Sequence, residues 1–228
     1  MKTLHTLRSL FFPNNCLMCG TLLANQEDCF CLHCAAKLPR THFHRQPGNP
    51  AEQLFYGKCD IERAVSFCYF EKGSRFRKVI HQFKYNDSPR TAFRLGAFYA
   101  QELSRTHWQL PVDLIHPVPL HWSKQLKRGY NQSEWIARGL AKTWQKPLHT
   151  HITRKQLSTT SQTRKSLYDR YLNTQGSFRL CEPTLLTGKH ILLVDDVLTS
   201  GSTLEACAHA IHQAAGVKIS ILTLGFAE

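Results

Sequence analysis

The sequence predicts an α/β fold, a mainly parallel sheet with helices on both faces, preceded by a small metal-binding knuckle. Three observations lead there. Strand-like and helix-like periodicities alternate through residues 58–228, the order that a parallel sheet with crossover helices requires. One buried-strand run, "HILLV" (190–194), ends in two adjacent acids and a loop of hydroxyls. Five cysteines crowd into residues 16–34.

The chain has 228 residues, 42% of them hydrophobic, with 13 Phe and 4 Trp, which is enough apolar material for one α/β domain and a small accessory unit. No apolar run reaches the roughly 18 residues of a membrane span. The start, "MKTLHTLRSLFFPNN", is only weakly signal-like, because Arg8 and Ser9 interrupt its apolar residues and no small-residue cleavage site follows. It reads as a short amphipathic helix in a cytoplasmic protein.

In "CLMCGTLLANQEDCFCLHC" (16–34), Cys16/Cys19 and Cys31/Cys34 each form a C-x-x-C pair. A two-residue spacer lets both thiolates of a tight turn face one ion, and Gly20 suits that turn. Two such turns supply a tetrahedral set of four sulfurs, which suits a structural Zn²⁺ and leaves no open position for catalysis. Cys29 and His33 are spare ligands that could substitute. Disulfides fit poorly with an odd count of nine cysteines and no signal sequence. Cys59, Cys68, Cys181 and Cys207 lie among apolar residues and read as core. The organisation expected is a helix and knuckle over 1–40, a linker over 41–57 marked by Pro47, Gly48, Asn49 and Pro50, and the main domain over 58–228.

Within that domain "RAVSFCYF" (63–70) reads as a strand. Phe76, Val79, Ile80 and Phe83 give a helix with its cationic face outward, and Ala92, Leu95, Tyr99 and Leu103 give a second. "VDLIHPVPL" is a short buried strand ended by Pro117 and Pro119. Asn131 caps a helix carrying Ile136, Leu140 and Trp144 on one face, with Glu134 placed for a capping box. "LHTHI" (148–152) and "HILLVDD" (190–196) are further strands. Leu204, Cys207, Ala208, Ile211 and Ala215 form a helical stripe that Gly216 stops, and "VKISILTL" (217–224) is the closing strand.

Ligands of such sheets bind beyond the carboxyl ends of the strands. Asp195 and Asp196 are placed there, and Thr199, Ser200, Gly201, Ser202 and Thr203 lead into the next helix. Free backbone N–H groups at a helix start attract phosphate, and Gly201 lets the backbone come close. The acids would repel a phosphate; as pure acceptors they suit two vicinal hydroxyls. A phosphate and a diol side by side describe a ribose 5-phosphate. A Walker loop is excluded because Gly188-Lys189 lacks the upstream glycine and following hydroxyl, and no G-x-G-x-x-G is present. A phospho-acceptor receiver would need a further run of domain after its acids, where 32 residues follow Asp196.

Lys and Arg exceed Asp and Glu by 13, and the excess is clustered. Residues 72–95 hold seven basic residues and one acid, and residues 122–170 hold eleven and two. A clustered excess of this size suits a polyanion. Trp122, Tyr130, Trp135, Trp144, Tyr168 and Tyr171 interleave with the cations, the pattern of a surface on which bases stack without being read. Trp144 shares the stripe of Ile136 and Leu140 and reads as core.

"VDDVLTSGST" closely resembles the phosphoribosyl-pyrophosphate (PRPP) signature of type I phosphoribosyltransferases. The whole chain resembles the ComF/GntX family within them, through the twin knuckle, "AAKLPR", "FKY", "HPVPLHWSKQLKRGYNQSEWIARGLA", "RKQLSTTSQTRKSLYDRYLNTQGSF" and the loop, in that order. Tyr130 stands where the family commonly has Phe, and Lys124 near a common Arg. The resemblance implies a type I phosphoribosyltransferase-like sheet, with Asp195 and Asp196 on the ribose hydroxyls and Thr199 through Thr203 on the 5-phosphate. It implies a pyrophosphate grip at Arg128 and Gly129, a mobile cationic loop with Arg154, Arg164 and Lys165, and Mg²⁺ accompanying PRPP. It further implies a role in natural competence, with incoming single-stranded DNA as partner. Lys84, Lys124, Lys127, Arg128 and Tyr130 are the DNA-contact candidates, and a helicase or DNA-processing protein of the competence machinery is a further partner. Such a protein works in the cytoplasm or peripherally at the inner face of the inner membrane. The alternative is an active phosphoribosyltransferase passing ribose 5-phosphate from PRPP to a nucleophile the sequence does not name.

Overall fold

The computed structural model describes residues 14–85, 88–106, 108, 110–120, 125–126, 128–156 and 177–227. The amphipathic helix expected at the N-terminus, Trp122, Lys124, Lys127, Arg164, Lys165, Tyr168, Tyr171 and the Lys84 side chain lie outside the described residues.

After the cysteine knuckle and its helix α1 (Leu32–Ala36), a 3₁₀ turn (Phe43–Arg45) and α2 (Pro50–Gln53) lead to strand β1 (Arg63–Tyr69). Helices α3 (Arg75–Tyr85) and α4 (Pro89–Arg105) cross to β2 (Leu114–Pro117), and α5 (Gln132–Trp144) follows. A two-stranded ribbon, β3 (Thr153–Lys155) and β4 (Phe178–Leu180), precedes α6 (Pro183–Leu186). The chain then runs through β5 (His190–Leu198), α7 (Ser202–Ile211) and β6 (Lys218–Phe226).

The main sheet has the order β1-β6-β5-β2, with every pair parallel. Both faces are covered, so the central strands are buried on successive residues rather than alternately, over His190–Val194 of β5 and Ile219–Phe226 of β6. Leu192, Val194, Leu222 and Leu224 join the core under α3, α4, α5 and the knuckle, while Ile191, Leu193, Ile219 and Ile221 join the core under α7. Helices α4 and α5 touch through their backbones. A Cβ on Gly139 would lie 2.2 Å from the Phe93 carbonyl oxygen, and one on Gly96 2.2 Å from that of Ile136.

Residues 41–57 are folded against the sheet. Asn49 caps α2 by accepting from the Ala51 and Glu52 amides, and its side-chain amide donates to the Phe43, Gln46 and Ala64 carbonyls. Phe43, Ala51 and Phe55 are buried in the α7-side core. The turn-forming composition that marks a boundary in the sequence here makes tight turns whose apolar side chains point inward.

Three local expectations are corrected. "LHTHI" is not a strand: Leu148 makes one parallel bridge to Ile115, and the next carbonyl, of His149, is taken by the His116 ring at 2.7 Å. The ladder forms later, at β3. Strand β5 does not stop at the acids but pairs with β6 through Leu198↔Phe226. Glu134 makes no capping box among the described bonds; it pairs with Arg138 one turn on, at 2.7 Å.

Candidate functional site

The carboxyl end of β5 meets the start of α5. The Asp195 carboxylate accepts from the Ser133 hydroxyl at 2.7 Å and from the Asp196 amide at 2.8 Å. Ser133 is held in turn by Asn131, whose side-chain oxygen accepts its amide at 3.1 Å while the side-chain nitrogen donates to the Val118 carbonyl at 3.0 Å. The Val118 amide donates to Val194 at 2.9 Å. The exit of β2, the first turn of α5 and the acid pair therefore form one braced unit. Neither Ser133 nor Asn131 stood out as a site residue in the sequence. Asn131 was legible as a cap, but only the fold brings Ser133 to Asp195.

Asp196, half-buried, is the second acid on this strand end, and the loop begins three residues later, at Thr199. Thr199, Ser200, Ser202 and Thr203 are exposed, and the Ser200 and Ser202 hydroxyls lie 2.9 Å apart. Gly201 is the N-cap of α7 with φ +78, a left-handed conformation that favours glycine, and it provides no side-chain cap. The amides of the first turn of α7 are thus presented to whatever acceptor enters, with the helix dipole behind them. Gly201 also seats the loop on Phe55, since a Cβ there would come within 3.2 Å of that ring. Phe55, hidden in the proline-rich segment, was not legible as part of the site.

Of the other candidates, Arg128 is half-buried and donates to Gln132 at 3.1 Å. Gly129 turns the chain into α5 with φ +73. Tyr130 is 7% exposed, and its hydroxyl donates to the Phe83 carbonyl, so it anchors α5 to α3 rather than offering a stacking face. Trp144 donates to the Ala100 carbonyl and the Ser104 hydroxyl on α4, in keeping with a core role, and Trp135 lies under the Arg138 guanidinium. Arg154 is exposed on β3.

Beneath β2 and α7 runs a chain of buried polar groups. The His116 Nε2 meets the Thr153 hydroxyl at 2.8 Å, and that hydroxyl meets the Cys207 thiol at 3.4 Å. Because the Nδ1 faces a carbonyl, it must carry the proton, so Nε2 accepts from Thr153 and Thr153 from Cys207. Burial lowers the His116 pKa to about 4 and pushes the Cys207 thiol up to about 12. Both are neutral packing groups, not an acid and a nucleophile.

At the other end of the chain, the Sγ atoms of Cys16, Cys19, Cys31 and Cys34 all lie within 4.8 Å of one another. Four convergent sulfurs fit one tetrahedral ion, and a structural metal suits this donor set. Cys29 is outside the quartet: it is fully buried, and burial pushes its thiol up to about 12. Hydrogen bonding with Thr21 lowers the exposed Cys19 to about 6, toward the thiolate that a metal takes. The knuckle is docked on α4. Phe30 stacks edge-on against Phe98 with ring centres 5.4 Å apart, Arg94 donates to the Asp28 carbonyl, and Arg40 clasps Glu102 with two bonds of 2.8 and 2.6 Å. No helix among the described residues is long and apolar enough to cross a membrane.

Comparison with known proteins agrees with this geometry. The phosphoribosyl transferase domain model matches residues 93–225. Competence protein F of Haemophilus influenzae is 26% identical over 208 residues, spanning 90% of this chain and 87% of that protein. The DNA utilization protein YhgH of Salmonella typhi is 30% identical over 217 residues, 89% of this chain and 92% of its own, and that of Escherichia coli K12 is 27% identical over 200 residues, 86% and 83%. On the domain match, the knuckle and these full-length similarities, the chain belongs to the ComF/GntX family of phosphoribosyltransferase-like proteins.

Proposed function

We propose that this protein is a competence factor that handles incoming single-stranded DNA in the cytoplasm and holds PRPP, or a related phosphate, at the carboxyl end of its sheet. One observation carries the ligand reading: an acid pair braced by Ser133 stands on the same strand end as the exposed, glycine-capped start of α7. The acids accept from the two ribose hydroxyls, and the loop amides and hydroxyls donate to the 5-phosphate. Arg128 and Gly129, at the start of α5, are placed to meet a pyrophosphate, with Mg²⁺ neutralising part of its charge. The cysteine quartet holds Zn²⁺ in a structural role. The DNA reading is supported by the net charge of +13 and by what the names of the relatives say of them. Lys84, Lys124, Lys127 and Arg128 are the contacts proposed for the strand; Tyr130 is left out because it is buried.

The test is a calorimetric titration of PRPP with Mg²⁺ into the purified protein, with Asp196→Ala beside it. Saturable binding that the variant loses is expected; equal heats from both proteins would refute the pentose site. DNA binding is tested by anisotropy of a labelled oligothymidylate across a salt series, where affinity should fall steeply as counterions compete. Salt-independent binding would remove the electrostatic account. Transfer of ribose 5-phosphate to a nucleophile is the second reading, favoured by the acids and the phosphate loop standing together in one site.

A further inference from the structure

We propose that a cavity between residues 40–45 and the last turns of α4 is a second anion site, which takes a phosphate monoester. Its volume is about 220 Å³, and its lining shares no residue with the carboxyl-end site. At roughly 30 Å³ per water, that holds about seven waters, room for a phosphate and part of a sugar.

Its floor is Phe67, Tyr99 and Leu103. Tyr99 is 2% exposed, yet its hydroxyl has no hydrogen-bond partner among the described residues. A buried hydroxyl left unpaired is destabilising, so the group calls for an acceptor. The Nε2 of His44, also in the lining, is buried and unpartnered in the same way. The Tyr99 hydroxyl is a donor, and the His44 nitrogen becomes one in the tautomer that carries its proton at Nε2; together they describe an oxyanion receptor in the walls of one cavity.

The surrounding charge decides between water and an anion. Arg45 and Arg105 stand exposed in the lining, and neither has an acidic partner among the described residues. The one acid in the lining, Glu102, has both carboxylate oxygens held by Arg40, through Nε and Nη2. The Leu103 carbonyl at the end of α4 is occupied, since it accepts from the Thr106 and Trp108 amides and from the Thr106 hydroxyl. Two uncompensated guanidiniums beside the unpaired Tyr99 hydroxyl and His44 imidazole fit a phosphate, with charge-assisted bonds from the guanidiniums to its oxygens. Burial and the nearby Arg45 lower the His44 pKa, a cost that a bound anion relieves.

The source of the phosphate is either a free small molecule or the 5′ end of a DNA strand. The test follows the backbone amides of ¹⁵N-labelled protein by NMR as inorganic phosphate is added. Saturable shifts at residues 42–45 and 103–106 are expected. They should weaken about tenfold in affinity in an Arg45→Ala/Arg105→Ala variant, through loss of charge-assisted bonds, and measurably in Tyr99→Phe, which keeps the ring. Non-saturating shifts at these residues, or saturable shifts that both variants leave undiminished, would overturn the proposal. Shifts confined to residues 199–203 would also overturn it, while supporting the carboxyl-end site, so the two readings fail separately. Repeating the titration with an oligothymidylate bearing a 5′-phosphate, and with the same strand bearing a 5′-hydroxyl, separates the sources. Preference for the phosphorylated strand over inorganic phosphate assigns a DNA end, and no preference assigns a small molecule.

Discussion

Replacing Gly139 by alanine sets two physical effects against each other with opposite signs. Gly139 lies inside α5, where alanine is the better helix former by about 0.8–1 kcal/mol. Were propensity the whole story, Gly139→Ala would stabilise the protein. The structure says otherwise. The new Cβ would sit 2.2 Å from the Phe93 carbonyl oxygen and 2.7 Å from the Ala97 amide nitrogen, both inside the 3.0 Å that real contacts keep and the first by nearly an ångström. Both neighbours are backbone, so no rotamer change relieves the clash, and α4 and α5 must move apart. Overpacking of a well-filled interior costs about 1–3 kcal/mol, occasionally more, and a backbone clash belongs at the upper end. Net of the propensity gain, the loss is about 2 kcal/mol. In urea, with a slope of about 1–3 kcal/mol per molar, the midpoint should fall by roughly 1 M. Tryptophan fluorescence reports it directly, since Trp135 and Trp144 are both on α5. Because the same helix carries Ser133 to Asp195, PRPP binding should weaken alongside. An unchanged or higher midpoint would show that the helices are not in backbone contact.

Three further outcomes are expected. Metal analysis should find about one zinc per chain, and Cys31→Ser should lose both metal and stability; a metal-free, equally stable variant would dismiss the structural ion. His116, with its folded pKa near 4 against an ordinary 6.5, binds its proton more readily unfolded, so its contribution is intact above pH 6.5 and lost as pH falls toward 4. The loss should reach about 2 kcal/mol by pH 5, and His116→Asn should show a shallower decline in urea midpoint between pH 7 and pH 5; parallel declines would discount the histidine. Gly201→Ala should cost about 1–2 kcal/mol through its left-handed φ and weaken PRPP binding; Phe55→Leu, destabilising alone because the ring is buried, should cost less in the Gly201→Ala background, and strictly additive losses would mean the ring is not what the new Cβ meets.

Much of the architecture was legible because both faces of the sheet are covered. That makes the central strands continuous apolar runs, and "HILLV" and "ISILTL" stand out without any partner being known. The cysteine quartet was legible for a different reason: C-x-x-C is a local device whose spacing is its geometry. What stayed hidden was set by tertiary contact. Ser133 sits in a helix turn like many serines, and only the crossing of α5 over β5 brings its hydroxyl to Asp195. Phe55 belongs to a stretch whose prolines and glycines read as linker, although that stretch packs the Phe55 ring against the Gly201 turn. Tyr130, an aromatic among cations, had the composition of a stacking platform until its burial and its bond to Phe83 placed it inside. "LHTHI" alternates like a strand, but the next ladder bond to the His149 carbonyl would have to come from Pro117, which has no N–H, and the His116 ring takes that carbonyl instead.

The knuckle does not stand apart from the domain it precedes. Cys16, Cys29, Phe30 and Cys34 belong to one continuous apolar cluster with Phe67, Leu95, Ile136 and Leu222, and the Arg40–Glu102 clasp closes the seam. Two regions that share a core unfold together, so a metal ion held by the four cysteines would act as a ligand of the entire protein. Mass action then links the two ends of the chain: at an ion concentration a hundredfold above its dissociation constant, about 2.7 kcal/mol is added to the stability of the remote sheet as well. The coupling is reciprocal, so a partner gripping the α4 surface would tighten the hold on the ion, and metal starvation would act as a switch on the whole molecule rather than on its first forty residues.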